Sequence, residues 1–81
     1  MDYNVAASEL IAELREESGR TQLEIAKSLG VTQSTISKIE RCDLKLDLGE
    51  MRSLCSAIGI TLPDFIAMLE EKIRHLESVS E

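Results

Sequence analysis

Residues 21–41, which decide the fold, read TQLEIAKSLGVTQSTISKIER. This pattern predicts two short helices joined by a tight turn. Thr21 and Glu24 match a capping box, in which two side chains satisfy free backbone N–H groups at a helix start. Gly30 is a typical left-handed stop for the first helix. Thr32 is a typical N-cap for a second helix, which we expect from Gln33 to Arg41.

Each of these two helices has one narrow apolar face. In the first helix, Leu23, Ala26 and Leu29 have the spacing of a stripe that we expect to be buried. In the second helix, Ile36 and Ile39 are the only apolar residues, so they define its inner face.

The opposite face of the second helix carries the functional signal. At about 100° per residue, it presents polar side chains, namely Gln33, Ser34, Ser37, Lys38 and Arg41. Gln can form a bidentate pair with adenine, Lys suits guanine or phosphate, and Ser suits either. Surface helices also carry Ser, Lys and Arg as an ordinary solvated face, and this helix alone does not separate the two interpretations. The helix–glycine–helix frame before it favours insertion into the major groove of DNA.

The charge distribution qualifies this hypothesis. The chain has 81 residues, which indicates a single domain over 1–81, and a net charge of −6. Residues 1–19 sum to −4, residues 20–52 to +1 and residues 53–81 to −3, and six of the nine basic residues lie in the middle segment. We therefore expect a local basic face on an acidic body, with weak non-specific binding to nucleic acid.

Several other classes of protein are not indicated. Two cysteines are too few for a disulfide framework, and Cys55 aligns with Met51, Leu54 and Ile58 as a core residue. We expect no redox role for Cys42. No apolar run has membrane-spanning length, so we expect a cytoplasmic protein. The chain shows no catalytic set, no metal-ligand spacing and no phosphate-binding loop, so we expect no enzyme, no metal and no cofactor.

The flanking sequence predicts three more helices and an all-α, five-helix fold. The first runs from Asn4 to Ser18 and ends at Gly19, with an apolar stripe of Ala7, Leu10, Ile11 and Leu14. The fourth is capped by Asp47 and stopped by Gly59, with an inner face of Leu48, Met51, Leu54, Cys55 and Ile58. The fifth is capped by Thr61 and runs from Leu62 to about Ser78.

One ion pair follows from helix geometry. Glu40 projects near the Ile36 side of its helix, towards the core, and a buried carboxylate is costly unless it is paired. Arg15 lies at the edge of the first helix's stripe, so we predict a structural pair between Arg15 and Glu40.

The fifth helix suggests a partner. Leu62, Ile66, Leu69, Ile73 and Leu76 form a heptad seam. We expect a homodimer through this helix (residues 62–78), with Ile66, Leu69, Ile73 and Leu76 at the interface. In the alternative interpretation, the helix folds back and is used entirely inside one chain.

Residues 10–65 resemble the Cro and lambda-repressor type of helix-turn-helix DNA-binding domain, with the motif at 21–41. The resemblance rests on Leu14-Arg15, Thr21-Gln22, Ile25-Ala26, Leu29-Gly30-Val31, residues 33–40 and residues 54–60. It implies that Gln22 anchors a phosphate and supports Gln33. It also implies that Ser34 and Lys38 read base edges, and that Thr32, Ser37 and Arg41 make phosphate or flanking contacts. The family's Arg–Glu pair matches Arg15 and Glu40.

Three departures from that family pattern stand out. Arg20 replaces an apolar residue, which adds a phosphate contact or costs core packing. Cys42 replaces the usual Gly after the second motif helix, so the helix exit is expected to differ. The last helix is long and acidic, which resembles stand-alone dimeric regulators such as restriction–modification controller proteins and small phage repressors.

The sequence thus predicts a homodimeric, sequence-specific transcriptional regulator on a near-palindromic operator in double-stranded DNA. Repression is favoured over activation, which would need an acidic face that contacts RNA polymerase. The alternative is an antitoxin-like or anti-regulator protein whose main partner is another protein, such as a cognate toxin.

Overall fold

The computed structural model describes residues 2–79, with residue 79 described by its backbone alone. Five α-helices follow one another in this part of the chain, with no strand among them. They are α1 (Tyr3–Glu17), α2 (Gln22–Leu29), α3 (Gln33–Glu40), α4 (Leu48–Ile58) and α5 (Leu62–Val79). The predicted all-α, five-helix fold is confirmed.

Local capping signals explain where the helices begin and end. Thr21 and Asp47 each form a complete capping box, with Glu24 and Glu50 as the reciprocal partners. Gly30 ends α2 in the left-handed region, with a φ of 71°. At α1, the Asp2 carboxylate accepts a hydrogen bond of 2.7 Å from the Asn4 backbone N–H. This cap, which the sequence prediction missed, starts the helix one residue earlier than expected.

All five helices contribute to one core. Each supplies a large side chain that is at most 2% exposed, namely Ile11, Ile25, Ile36, Leu54 and Phe65. α2 packs against α3 and α4, while α1 packs against α3, α4 and α5. The buried thiol of Cys55 lies in the same cluster, as predicted, and burial raises its pKa.

Two leucines predicted to face the core are exposed. Leu23 is 46% exposed, because Ile25 and Ala26 form the buried face of α2 and Leu29 is only half-buried against it. Leu48 is 75% exposed, because α4 begins at this residue and its buried face consists of Leu54, Cys55 and Ile58. The predictions for Leu23 and Leu48 are wrong.

The seam of α5 is divided between the core and the surface. Leu69 and Ile73 are 5% and 4% exposed within the single chain, so their side chains are already buried without a second copy. Leu76 is half-buried, whereas Ile66 is 41% exposed. The interface expected at Ile66, Leu69, Ile73 and Leu76 stays a prediction, and within the single chain Leu69 and Ile73 already pack into the core.

Hydrogen bonds and ion pairs also link α5 to α1. The Lys72 ammonium lies 2.9 Å from a Glu13 carboxylate oxygen and 3.6 Å from one of Glu9, and the bond to Glu13 raises the pKa of Lys72. The Tyr3 hydroxyl donates a short hydrogen bond to Glu70, which raises the pKa of the phenol. These contacts lie at the surface of the apolar packing between α1 and α5.

No single helix in residues 2–79 is long and apolar enough to cross a membrane. α4 and α5 meet that length and composition only when taken as a pair, and this pair is bent by 95°.

Candidate nucleic-acid interface

α3 has a sharp division between a buried and an exposed face. Ile36 and Ile39 are buried in the core. Gln33, Ser34 and Lys38 are exposed on the other side of the helix, and Ser37 is half-buried at its margin. The structure thus presents together the side chains that the sequence predicted to read base edges.

The turn before α3 holds the start of that helix. The Val31 N–H donates to the carbonyl of Ala26 over 3.0 Å, which closes the end of α2. The Thr32 hydroxyl accepts from the Thr35 N–H at 3.2 Å and lies 3.0 Å from the Thr35 hydroxyl. The Thr32 hydroxyl therefore accepts the capping hydrogen bond of α3, next to Gln33 at the start of that helix.

A nearly buried ion pair joins α1 to the end of α3. Arg15 Nε donates to Glu40 Oε2 at 2.6 Å and Arg15 Nη2 donates to Glu40 Oε1 at 3.1 Å. The two side chains are only 12% and 8% exposed. The hydrogen bond to Glu40 raises the pKa of Arg15 above its ordinary value. The predicted Arg15–Glu40 pair is present, and it joins α1 to the last turn of α3.

A third residue joins this pair. Gln22 Nε2 donates to Glu40 Oε1 at 3.0 Å. Glu40 ends α3 and Gln33 begins it, so the two lie about 10 Å apart along the helix axis. Among the described residues, Gln22 makes no hydrogen bond to Gln33, the residue that the family resemblance assigned to it. Sequence reasoning missed the Gln22–Glu40 contact, because no local pattern links the start of α2 to the end of α3.

The exit from α3 carries two unusual features. Cys42 has a φ of 62°, the left-handed conformation that usually selects Gly. The exit therefore has the same backbone conformation that a Gly would give, and the expected difference does not occur. The exposed Arg41 guanidinium lies 3.1 Å from the Asp43 carboxylate, so a phosphate would compete with Asp43 for Arg41.

Arg20 has a role that the sequence did not reveal. Its guanidinium donates to the Ile58 carbonyl at the C-terminus of α4, where a cation is favoured by the helix dipole. Its own carbonyl accepts a bond of 2.9 Å from Arg15 Nη1. Arg20 thus links α4 to the network around Glu40, and its side chain replaces the apolar contact expected at this position.

Comparison with known proteins identifies this arrangement. The model of the helix-turn-helix family HTH_3, of the Cro and lambda-repressor type, matches residues 11–65, more than half of the chain. The chain belongs to this family. α2 and α3 are the two helices of its helix-turn-helix motif. No curated protein sequence matches the chain significantly.

Solved structures agree with this helix-turn-helix assignment. The wild-type restriction-modification controller protein C.Esp1396I has a TM-score of 0.85 at 24% identity, covering 93% of this chain and 97% of that chain. The same controller, as a tetramer in complex with its natural 35-base-pair operator, has a TM-score of 0.83 at 25% identity, with coverage of 90% and 96%.

An XRE-family like protein from Pseudomonas syringae pv. tomato str. DC3000 is more similar in sequence. It is 35% identical, with a TM-score of 0.79 and coverage of 85% of this chain and 84% of that chain. The exposed polar face of α3 and these similarities identify the chain as a DNA-binding transcriptional regulator.

Proposed function

We propose that this helix-turn-helix protein is a homodimeric repressor that binds a near-palindromic operator and blocks RNA polymerase. The observation that carries the proposal is the exposed polar face of α3, whose last turn is joined to α1 by the nearly buried pair of Arg15 and Glu40. Such a face meets base edges when the helix enters the major groove.

Within this proposal, the exposed side chains divide into two groups. Gln33, Ser34 and Lys38 read base edges, with Ser37 at the margin. The second group contacts the DNA backbone. It consists of Gln22 at the start of α2, Thr32 in the turn and Arg41 at the end of α3. Base contacts specify the sequence, whereas phosphate contacts position the protein and supply affinity.

The low positive charge supports a dimer. Residues 20–52 sum to only +1, so one copy makes few favourable contacts with phosphates. Two copies place their α3 helices in successive major grooves, about 34 Å apart, and add their contacts. Ile66 of α5 is 41% exposed, and it is the apolar surface of the predicted seam that we expect a second copy to cover. The protein would act in the cytoplasm, where it meets its operator.

The experiment that tests the function is selection of bound duplexes from a random DNA pool. We expect enrichment of an inverted repeat whose half-sites are spaced by one helical turn. The Gln33→Ala variant should lose preference at one base pair of each half-site, by about 1–3 kcal/mol. Ser56→Ala, an exposed change on α4, serves as the control with the wild-type motif. No enrichment at low salt would refute the proposal, and equal weakening on every sequence would refute base reading by Gln33.

One observation favours the alternative of a protein partner. Exposed apolar side chains, Val31 and Leu44, line a groove of about 470 Å³ between α3 and α4, and the exposed Leu48 lies at the start of α4. An antitoxin-like protein would use such a surface for its partner. Light scattering on the purified chain, together with a DNA-binding measurement, distinguishes the two functions. A stable dimer with DNA affinity supports the regulator. A monomer without DNA affinity supports the alternative.

A further inference from the structure

Glu40 holds two neighbours, only one of which is needed to neutralise it. Its Oε2 accepts from Arg15 Nε at 2.6 Å. Its Oε1 accepts both from Arg15 Nη2 at 3.1 Å and from Gln22 Nε2 at 3.0 Å. Because the bidentate Arg15 contact already pairs the carboxylate, the bond from Gln22 has another consequence.

That consequence is a fixed orientation of the Gln22 amide. A glutamine amide has a carbonyl oxygen that only accepts and an NH₂ group with two donor hydrogens. A carboxylate accepts hydrogen bonds and repels the carbonyl oxygen, so the NH₂ group must face Glu40. One N–H is used in this bond, and the second N–H remains as a donor at the start of α2.

We infer that Glu40 is a positioning residue for DNA binding, which acts by orienting Gln22 so that the second N–H of its amide donates to a DNA phosphate. Arg15 makes this arrangement compatible with DNA, since it cancels the charge of Glu40 next to the approaching phosphate. The inference rests on the proposed function, because it concerns the contact that Gln22 makes with the backbone of the operator.

The alternative is that Glu40 matters only for stability. In that case its replacement would lower the melting temperature and leave the DNA contacts of the folded protein unchanged. The two roles are separable by affinity. Loss of a phosphate contact weakens binding of the folded protein about equally on every DNA sequence, whereas a purely structural role leaves the affinity of the folded protein unchanged.

The test is a double-mutant cycle of Gln22→Ala and Glu40→Asp. Glu40→Asp keeps the charge that pairs with Arg15 and withdraws the oxygen from Gln22. Affinity is measured for the wild type, both single variants and the double variant, on the selected operator duplex and on a duplex with altered half-sites. Melting temperatures are recorded alongside, so that only folded protein is compared. We expect each single variant to lower the affinity about three- to tenfold per half-site on both duplexes, and the double variant to lower it no further.

Several results would overturn the inference. An unchanged affinity for folded Glu40→Asp would show a purely structural role, and an unchanged affinity for Gln22→Ala would show that Gln22 makes no phosphate contact. Losses of affinity that multiply in the double variant would show independent action. If Glu40→Asp does not fold, Glu40→Gln takes its place, because it removes the carboxylate from Gln22 in a side chain of the same length. If the wild type binds no duplex, the proposed function itself fails.

Discussion

At the scale of single residues, Cys42 takes up a conformation that its side chain disfavours. Its φ of 62° lies in the left-handed region, where a Cβ comes close to the following carbonyl oxygen. The chain accepts this strain because the turn must close α3 and lead to the loop before α4. The Asp43 N–H donates to the Lys38 carbonyl over 2.8 Å in this turn.

This strain leads to a matched prediction. We expect Cys42→Gly to be more stable than Cys42→Ala by about 1 kcal/mol, because both remove the thiol and only Gly relieves the left-handed strain. Thermal and chemical unfolding of the two variants measure the difference. Equal stabilities would mean that the backbone at residue 42 relaxes when the thiol is removed.

We expect the nearly buried Arg15–Glu40 pair to contribute much more to the free energy of unfolding than an exposed ion pair does. Arg15→Met leaves the Glu40 carboxylate buried without its main partner, so we expect a loss of about 3 kcal/mol in the free energy of unfolding. Arg74→Ala breaks the exposed pair with Glu71 on α5, and we expect a change below about 0.5 kcal/mol. Urea denaturation of both variants tests this, and similar losses would contradict the structural role of the Arg15–Glu40 pair.

At the scale of elements, the start of α2 depends on pH. Glu24 accepts from the Thr21 backbone N–H at 3.0 Å, and this bond lowers the pKa of Glu24 below its ordinary value of 4.5. A carboxylate with a lowered pKa in the folded state stabilises the fold fully above its unfolded pKa. That stabilisation is lost as the pH falls through the folded pKa.

We therefore expect the melting temperature of Glu24→Gln to lie below that of the wild type at pH 7, and the gap to close as the pH falls below about 4. Melting curves from pH 7 to pH 3 measure the gap. Glu17→Gln, at the exposed end of α1, is the control and should show no such convergence. A gap that stays constant with pH would exclude a role for the Glu24 charge.

The elements also show what the sequence could predict. Caps and stops were predictable, because Thr21, Gly30, Asp47 and Gly59 act on backbone groups within a few residues. The exposure of Leu23 and Leu48 was not, since which apolar side chain faces inward depends on how α2 and α4 pack on other helices. Helical spacing alone leaves this choice open.

At the scale of the whole molecule, the candidate site was partly predictable. The exposed face of α3 followed from Ile36 and Ile39, which define the inner side of a short helix. The contacts of Arg20 with α4 and of Gln22 with Glu40 join residues 38 and 18 positions apart. Such contacts form only when the helices pack together, so no local sequence pattern predicts them.

Assembly with a second copy gives a further prediction. Because Leu69 and Ile73 are committed to the core, we expect Ile66, on the exposed edge of the seam, to carry the dimer contact. Ile66→Glu should shift the mass measured by light scattering from dimer towards monomer, while keeping the helical content of the wild type. Met68→Glu, on the other side of the buried stripe, is the matched control. A dimer that survives Ile66→Glu and dissociates with Met68→Glu would place the interface on the opposite edge.

The separation of charge described at the outset has a consequence for kinetics. α1 and α5, which pack side by side, belong to the two acidic segments, whereas the motif lies in the segment that holds most basic residues. We therefore expect the field of DNA, a polyanion, to orient the chain before contact. Encounters that present the acidic segments would be repelled, whereas those that present α3 would be retained. The acidic segments, which weaken binding overall, would thus favour the orientation in which α3 meets the DNA.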